Sequence, residues 1–563
     1  MPGSDRLSSD LDSLLPSVLR GILASRGLSD QESLERYFNP SISSLASPEG
    51  LGNIDSAAEL MLSETGEIVV FGDYDCDGVC ASAIVIAVLK ALGKKAAAFL
   101  PDRLSEGYGM SAASVSRMLG EYPAAGMVVT VDNGVNSVEE IASLRAKGIR
   151  VVVTDHHLPG PVLPDADALI NPKVEASDEL KDLCGAGVAF MLANVLVRKA
   201  RARGLYDGPS LGGPLLVLAG LATITDLMPV AGQNRIIVSE ALRRFHSCAP
   251  LGLKELHSRA AKVASTMPSS RDFGFLLGPR INASGRVASG MEALELILCE
   301  DREVARECAR IVDRRNLERK SIEQRMVQDA LSKVVPGAAA QVIDLPDGHP
   351  GVAGIIASRV MERLSSEPGG AAVPVCIVAG GRGSARSPAG INIRDAMEFC
   401  TDMLERFGGH AAAGGFSVKP GMIDAFRDRL CEYCREVTAD GQTGDGEMQV
   451  DAWISPSDIT LELARWVEKM EPFGEGNPEP VFGMRDVELA DIKPLGTDGK
   501  HLSVSFRNRA IPRAVWWNRG ELIEDLRASS GMRRDIAFKI ALSEYGELHV
   551  ELRLMSVSDC KGG

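Results

Sequence analysis

The sequence predicts a multidomain α/β protein, headed by a doubly wound parallel sheet and closed by a small β-barrel. Three observations carry that reading. From about residue 54, apolar runs of strand length alternate with helical stretches; the composition is rich in Ala, Gly, Val and Leu but only 5% aromatic; and short alternating runs return after about residue 445. The 563 residues divide into roughly three or four domains of ordinary size, and a hydrophobic content of 45% supplies several cores.

Composition also excludes several classes. No window approaches the roughly 18 apolar residues of a membrane span, and residues 1–12 lack a signal-peptide core, so the expected location is the cytoplasm, with no membrane partner. The 11 cysteines are odd in number and scattered; Cys431 and Cys434 have no second Cys-x-x-Cys to complete a zinc site, and the set reads as reduced thiols in helices. A formal charge of −15 argues against a generic polyanion binder, because neutralising phosphate takes Lys and Arg. It does not exclude nucleic acid, since bound cations cancel metal-site carboxylates and local basic clusters can line a groove.

In order along the chain, 14–26 reads as a helix stopped by Gly27, and 30–38 as a second helix ended by Asn39-Pro40. Together they suggest a small cap on the domain that follows. Strands are expected at 68–72, 96–100, 127–131 and 150–154, with helices at 55–63, 79–92, 111–120 and 137–147; right-handed crossovers then give a parallel sheet. The first strand runs into Asp73-Tyr74-Asp75-Cys76-Asp77-Gly78. On an extended strand end, alternate carboxylates fall on one side and repel one another unless cations sit among them; the plainer alternative is a solvated turn with Asp77 capping the next helix.

Two more strands end in polar clusters, Asp132-Asn133-Gly134 and Asp155-His156-His157, and a helix through 215–223 ends in Thr225-Asp226-Leu227-Met228-Pro229. Carboxyl ends of parallel strands are where open α/β sheets bind ligands. Asp75, Asp77, Asp132, His156 and Asp226 form a carboxylate and imidazole set without thiolate, which favours manganese or magnesium over structural zinc. More than four donors point to two ions sharing a bridging carboxylate.

These four motifs resemble those of the DHH phosphoesterase superfamily, and the chain resembles its branch of single-strand-specific 5′→3′ exodeoxyribonucleases nearly end to end. Arg36 to Pro40, Pro101-Asp102-Arg103, Glu106 to Gly109 and Gly278 to Arg286 are similar to stretches of the first domain. His349 to Ile355 and Gly408 to Gly415 resemble the DHH-associated domain, and Glu471 to Pro480 the entry to the family's OB fold. Phe71 stands where many members carry a histidine ligand, and Cys76 where alanine is usual. The resemblance implies an N-terminal helical cap at 1–50, a DHH domain at 51–299, a connecting helix at 300–336, a smaller α/β DHH-associated domain at 337–440 and an OB-fold barrel at 441–563.

It implies two Mn2+ or Mg2+ ions on Asp75, Asp77, Asp132, His156 and Asp226, with Asp73, His157 and Arg280 as catalytic groups. Phosphate or DNA contacts are expected from Arg103, Asn282, Arg286, Arg386, His410, Gly408 and Gly409, where closely spaced glycines let amide groups approach an anion. In the helical stretch 300–335, Arg314, Arg315, Arg319 and Lys320 face either a nucleic-acid channel or their own glutamates. Five runs, 487–491, 502–506, 514–517, 536–540 and 549–554, fit the barrel, which binds single strands by stacking bases on aromatics above a basic groove. Phe506, Arg507, Arg509, Arg513, Trp516 and Trp517 are candidates there, with Arg507 and Trp516 foremost, although one of each adjacent aromatic pair should point inward. The expected activity is hydrolysis of single-stranded DNA from its 5′ end to mononucleotides by a two-metal mechanism, in repair and recombination. A helicase and a single-strand-binding protein are expected partners of a monomer. The rivals are a phosphodiesterase for short oligonucleotides or cyclic dinucleotides and a non-catalytic DNA-binding subunit.

Overall fold

The structure is a computed structural model that describes residues 11–107, 109–261, 267–366, 372–439, 448–528, 531–543 and 547–559. Tyr108 of the Glu106 to Gly109 stretch and the boundary placed between 440 and 441 lie outside the described residues.

The first sheet comprises β1 (Glu67–Phe71), β2 (Ala96–Phe99), β3 (Ala125–Val131), β4 (Arg150–Thr154) and the short β5 (Ala168–Ile170) in the order β2-β1-β3-β4-β5, all parallel. The Val- and Ile-rich strands are buried because helices cover both faces. The strand order turns back between β1 and β3, so the carboxyl ends of these two strands open a crevice.

The helix Cys76–Ala91 is buried almost all round because the helices Gly185–Ala202 and Gly212–Thr225 pack against it from outside. It begins earlier than the apolar pattern suggests. The Asp75 carboxylate caps it, Oδ1 accepting from the N–H groups of Asp77 and Gly78 at 3.0 and 3.1 Å. The alternate aspartates therefore do not lie along an extended strand, as expected; Asp73 is in the turn, Asp75 is the cap and Asp77 is in the first helical turn. Gly78 is needed for this geometry, since a Cβ there would lie 2.6 Å from the Asp73 backbone.

The 31-residue helix Arg302–Ser332, roughly 46 Å long, leads to the second sheet. Its strands are β6 (Gln341–Leu345), β7 (Val375–Ala379), β8 (Arg382–Arg386), β9 (Leu404–His410) and β10 (Ala413–Val418), in the order β6-β7-β8-β10-β9. The glycine-rich segments expected to form anion-binding loops are mostly strand: β8 pairs with β10, and β9 with β10 in a hairpin. Along the connecting helix Arg315 and Arg319 are taken up by glutamates, Arg315 by Glu318 of the same helix and Glu292 of the preceding one, and the largely buried Arg319 by Glu323.

The third sheet runs β11 (Ala452–Trp453), β12 (Phe482–Leu495), β13 (His501–Phe506), β14 (Ala514–Trp516), β16 (His549–Asp559), β15 (Arg533–Ser543), and a β12–β15 pairing closes it into a barrel. The N-terminal helices Ser17–Ser25 and Gln31–Phe38 share this barrel's core, with Leu19, Ile22, Leu23 and Leu34 packed among Leu463, Trp466 and Phe482. They are not a cap on the following domain: their apolar face needs a partner, and the barrel's helix Leu461–Lys469 supplies it.

Arg235, on the first domain's helix Gly232–Cys248, locks that domain to the N-terminal helices and the barrel entry. It stacks 3.8 Å from the Tyr37 ring centre and donates to the carbonyls of Tyr37, Met470, Glu471 and Pro472. Among the described residues no helix is long and apolar enough to cross a membrane, and ten cysteines are free; Cys376 lies in β7 and Cys184, Cys299 and Cys400 flank helix ends, so not all are in helices as expected.

Candidate active site

The crevice gathers residues from four separate segments. Asp132 follows β3 at φ +62°, a left-handed conformation that aspartate tolerates better than most residues. Its side chain packs against Gly185, where a Cβ would come within 2.6 Å. His156 follows β4, and Asp226 ends the helix Gly212–Thr225. The His156 Nε2 lies 3.1 Å from Asp132 Oδ1, 3.5 Å from Asp226 Oδ2 and 3.6 Å from Asp77 Oδ2.

Backbone groups aim these side chains. The Asp77 carboxylate accepts from the N–H groups of Gly185 and Ala186, both at 2.7 Å, at the N-terminus of the helix Gly185–Ala202, where the helix dipole favours negative charge. Asp155 is a positioning residue absent from the expected site. It accepts from the N–H groups of Val135, His156 and His157 and holds His157 Nδ1 at 2.7 Å. Its place at the end of β4, directly before the two histidines, was the available signal.

Three overlapping groups each have donor atoms within 4.8 Å of one another: Asp77, His156 and Asp226; Asp73, Asp75 and Asp132; and Asp132, His156 and His157. Asp132 belongs to two of them. Asp73 Oδ1, Asp132 Oδ1 and His156 Nε2 are buried without a hydrogen-bond partner, the short His156–Asp132 approach being misaligned for one. Burial, then the charge of a neighbouring aspartate, raises the carboxyl pKa of Asp73 and Asp132 well above the usual range, raises that of Asp75, and brings Asp226 to about 9. Burial lowers His156 and so favours the neutral imidazole. Burial also opposes the charge on His157, but its hydrogen bond to Asp155 and the charges of Asp155, Asp226 and Asp77 together outweigh that and lift it to about 9. Unpaired acceptors crowded in a buried space fit divalent cations, and an oxygen-rich set with one or two imidazoles suits manganese or magnesium.

A cationic side faces Asp73 and Asp75. Arg103 lies 5.1 Å from the Tyr74 ring centre, and its charge acts on Asp73, Arg286 and Arg386. Desolvation, then Arg103, lowers Arg286 to about 10 and depresses Arg386. Arg382 donates to the Arg103 carbonyl at 2.9 Å, tying the second domain to this edge.

Other expected residues have different surroundings. Arg280 is bound to Asp313 on the connecting helix at 3.0 Å and to the Leu276 carbonyl, which makes it an interhelix tie and not a free phosphate ligand. Asn282 accepts from Cys76 N–H at 2.7 Å and so holds the start of the aspartate-bearing helix. Gly408, Gly409 and the exposed His410 lie on the edge strand β9. In the barrel Trp516 and Phe506 are core residues, a correction for Trp516, whose position on β14 turns it inward. Trp517, just past the strand, is 49% exposed with His501 edge-on at 4.8 Å. Arg507, Arg509 and Arg513 are exposed at the other end of the β13–β14 pair.

A parallel sheet with a carboxylate–imidazole cage at its switch point, a second domain bringing arginines and a terminal barrel define the chain as a DHH-type phosphoesterase. Residues 67–210 match the DHH family N-terminal domain, 336–436 the DHHA1 domain and 450–555 the RecJ OB domain. The chain belongs to the RecJ family. It is 36% identical over 507 residues to the single-stranded-DNA-specific exonuclease RecJ of Salmonella typhimurium, covering 85% of each chain. It is also 36% identical over 580 residues to that of Escherichia coli, covering 96% of this chain and 95% of the other. The crystal structure of RecJ in complex with Mn2+ from Thermus thermophilus superposes with a TM-score of 0.83 at 28% identity, covering 100% of this chain and 79% of that one.

Proposed function

We propose that this protein is a metal-dependent, single-strand-specific 5′→3′ exodeoxyribonuclease that releases 5′-mononucleotides and acts in DNA repair and recombination. The observation that carries the reading is the place of Asp132, which lies 3.1 Å from His156 Nε2, itself grouped with Asp77 and Asp226, and which also groups with Asp73 and Asp75. Asp77, Asp132, His156 and Asp226 would hold one divalent ion, and Asp75 and Asp132 the other. When bound, manganese or magnesium supplies an activated water at neutral pH and offsets charge on the phosphoryl oxygens.

The chain's own residues supply the rest. Asp73, whose carboxyl burial and Asp75 hold well above its usual range, is suited to keep the proton taken from water. His157, kept cationic by Asp155, faces the developing charge. Arg103, Arg286 and Arg386 bind substrate phosphates by charge-assisted hydrogen bonds, and Arg280 braces the helix that carries Asn282 and Arg286. The exposed Trp517 and arginines of the barrel favour a long strand over a dinucleotide. A helicase and a single-strand-binding protein would deliver such a strand to the monomer in the cytoplasm.

The test is hydrolysis of 5′-phosphorylated, 3′-labelled single strands and of the matching duplex, with and without manganese. Stepwise loss from the 5′ end of the single strand alone, only with manganese, is expected; release of internal fragments or equal attack on duplex overturns the proposal.

Two variants refine it. Asp155→Asn removes the negative charge that keeps His157 cationic and lowers manganese-dependent kcat about 10- to 100-fold, measured against an unchanged circular dichroism spectrum. Trp517→Ala weakens binding of a long single strand by about 1–3 kcal/mol in fluorescence anisotropy, whereas cleavage of a trinucleotide is unaffected.

A further inference from the structure

A cleft of about 800 Å³ lies between the loop after Asp226 and the barrel. Two large apolar side chains stand at it almost fully in solvent: Leu227 is 73% exposed and Phe275 78%. Leu227 is the residue next to the candidate metal ligand, held at φ +56°, a conformation that costs a non-glycine residue roughly 1–2 kcal/mol. Phe275 projects from a π-helical turn, Phe273–Leu277, packed on the same helix end: a Cβ at Gly274 would meet Ile224 at 3.3 Å. The left-handed backbone closes the helix Gly212–Thr225, Leu227 N–H donating to the Ile224 carbonyl at 3.4 Å and Met228 N–H to the Thr223 carbonyl at 3.1 Å; that cap accounts for the turn but calls for glycine, and it gives no reason for a leucine side chain left in solvent at the edge of a catalytic cage.

The walls are fixed before any ligand arrives. Val230 N–H donates to the Glu475 carbonyl at 2.7 Å, and Phe473 N–H to Ser270 Oγ at 3.1 Å. Met228 and Phe473 continue the apolar lining, while Glu468, Glu471, Glu475 and Glu479 outnumber Arg271, Lys539 and Arg553, and Lys539 is already paired with Glu479 at 2.9 Å. Such a lining repels phosphate but suits a nucleobase, whose faces pack on apolar groups and whose amino groups donate to carboxylates.

We propose that this cleft is a nucleobase subsite: it takes the unpaired base of a nucleotide whose phosphate lies at the Asp226 side, with Leu227 and Phe275 gripping its faces. The subsite rests on the nuclease reading and deepens it, since a base held in a duplex cannot enter the cleft and strand selectivity follows.

The test uses the full chain, manganese and long 5′-phosphorylated single strands, each carrying one abasic residue at a successive position from the 5′ end. The wild-type protein should lose about 5- to 100-fold in kcat/KM at one position. Leu227→Gly, which relieves the backbone and should leave the melting temperature unchanged or higher, and Phe275→Ala should lose a similar factor on the intact strand and no longer distinguish the abasic one, with manganese affinity by calorimetry retained. Phe275 sits on a different element from Asp226, which separates loss of base binding from damage to the ligand. A wild-type protein that cleaves every abasic strand like the intact one, or variants that discriminate as it does, would overturn the subsite alone; a wild-type protein that cleaves no strand overturns the nuclease reading itself.

Discussion

Asp132→Ala should abolish manganese-dependent hydrolysis almost completely, with kcat falling about 10³- to 10⁴-fold, the equivalent of roughly 4–6 kcal/mol of transition-state stabilisation. The size of the effect follows from geometry: Asp132 belongs to both an aspartate group and an imidazole group, so removing it disconnects two cation positions at once. Stability should move the other way. Asp132 is buried among Asp73, Asp75, Asp77 and Asp226, and its carboxyl pKa is raised by burial and then by Asp77, so its charge opposes folding in the metal-free protein. A group with a raised folded pKa favours the fold while protonated and loses that contribution as pH rises. The metal-free variant should therefore melt at or above the metal-free parent at neutral pH, and binding of a single strand should persist. Differential scanning calorimetry beside a hydrolysis assay reads both signs, and a variant that melts lower while still hydrolysing DNA would defeat the assignment.

Arg235→Ala should give the largest loss of stability, about 3–5 kcal/mol. Its guanidinium is buried and compensated by backbone carbonyls from the N-terminal helices and the barrel entry, with the Tyr37 ring beneath it. Truncation takes the guanidinium donors from the Tyr37 and Glu471 carbonyls and the cation from the Tyr37 ring, while the Met470 carbonyl keeps the Tyr37 hydroxyl and Asn477. Because the N-terminal helices and the barrel share one core, they should be released together, as an early separate transition in urea and as early proteolysis near residue 40. The carboxylate cage lies elsewhere on the first domain, so cleavage of a trinucleotide should survive at low denaturant while grip on a long strand is lost.

Much of the fold could be read without coordinates because its signals are local. Valine-rich runs broken by glycine and aspartate gave β1, β3 and β4 within a residue or two, whereas β5 escaped because three residues in a proline-rich stretch carry no period. The alternation of the barrel was legible, but not which tryptophan it buries: Trp516 and Trp517 are chemically identical, and only the register of β14 against β13 and β16 turns the first inward. Arg280 and Asn282 lie within a recognisable stretch, yet their side chains are consumed by Asp313 and by Cys76 N–H, partners 33 and 206 residues away in the chain.

By itself the sequence determined which candidate donors exist and that each sits near the boundary of a secondary-structure element, because strand, turn and cap chemistry depends on a few neighbouring residues. The tertiary structure alone decided that Asp132 stands between two groups, that Asp155 serves as a brace and that the first helices join the last domain. Those outcomes depend on which surfaces meet, and apolar burial, which drives the meeting, carries no label for its partner.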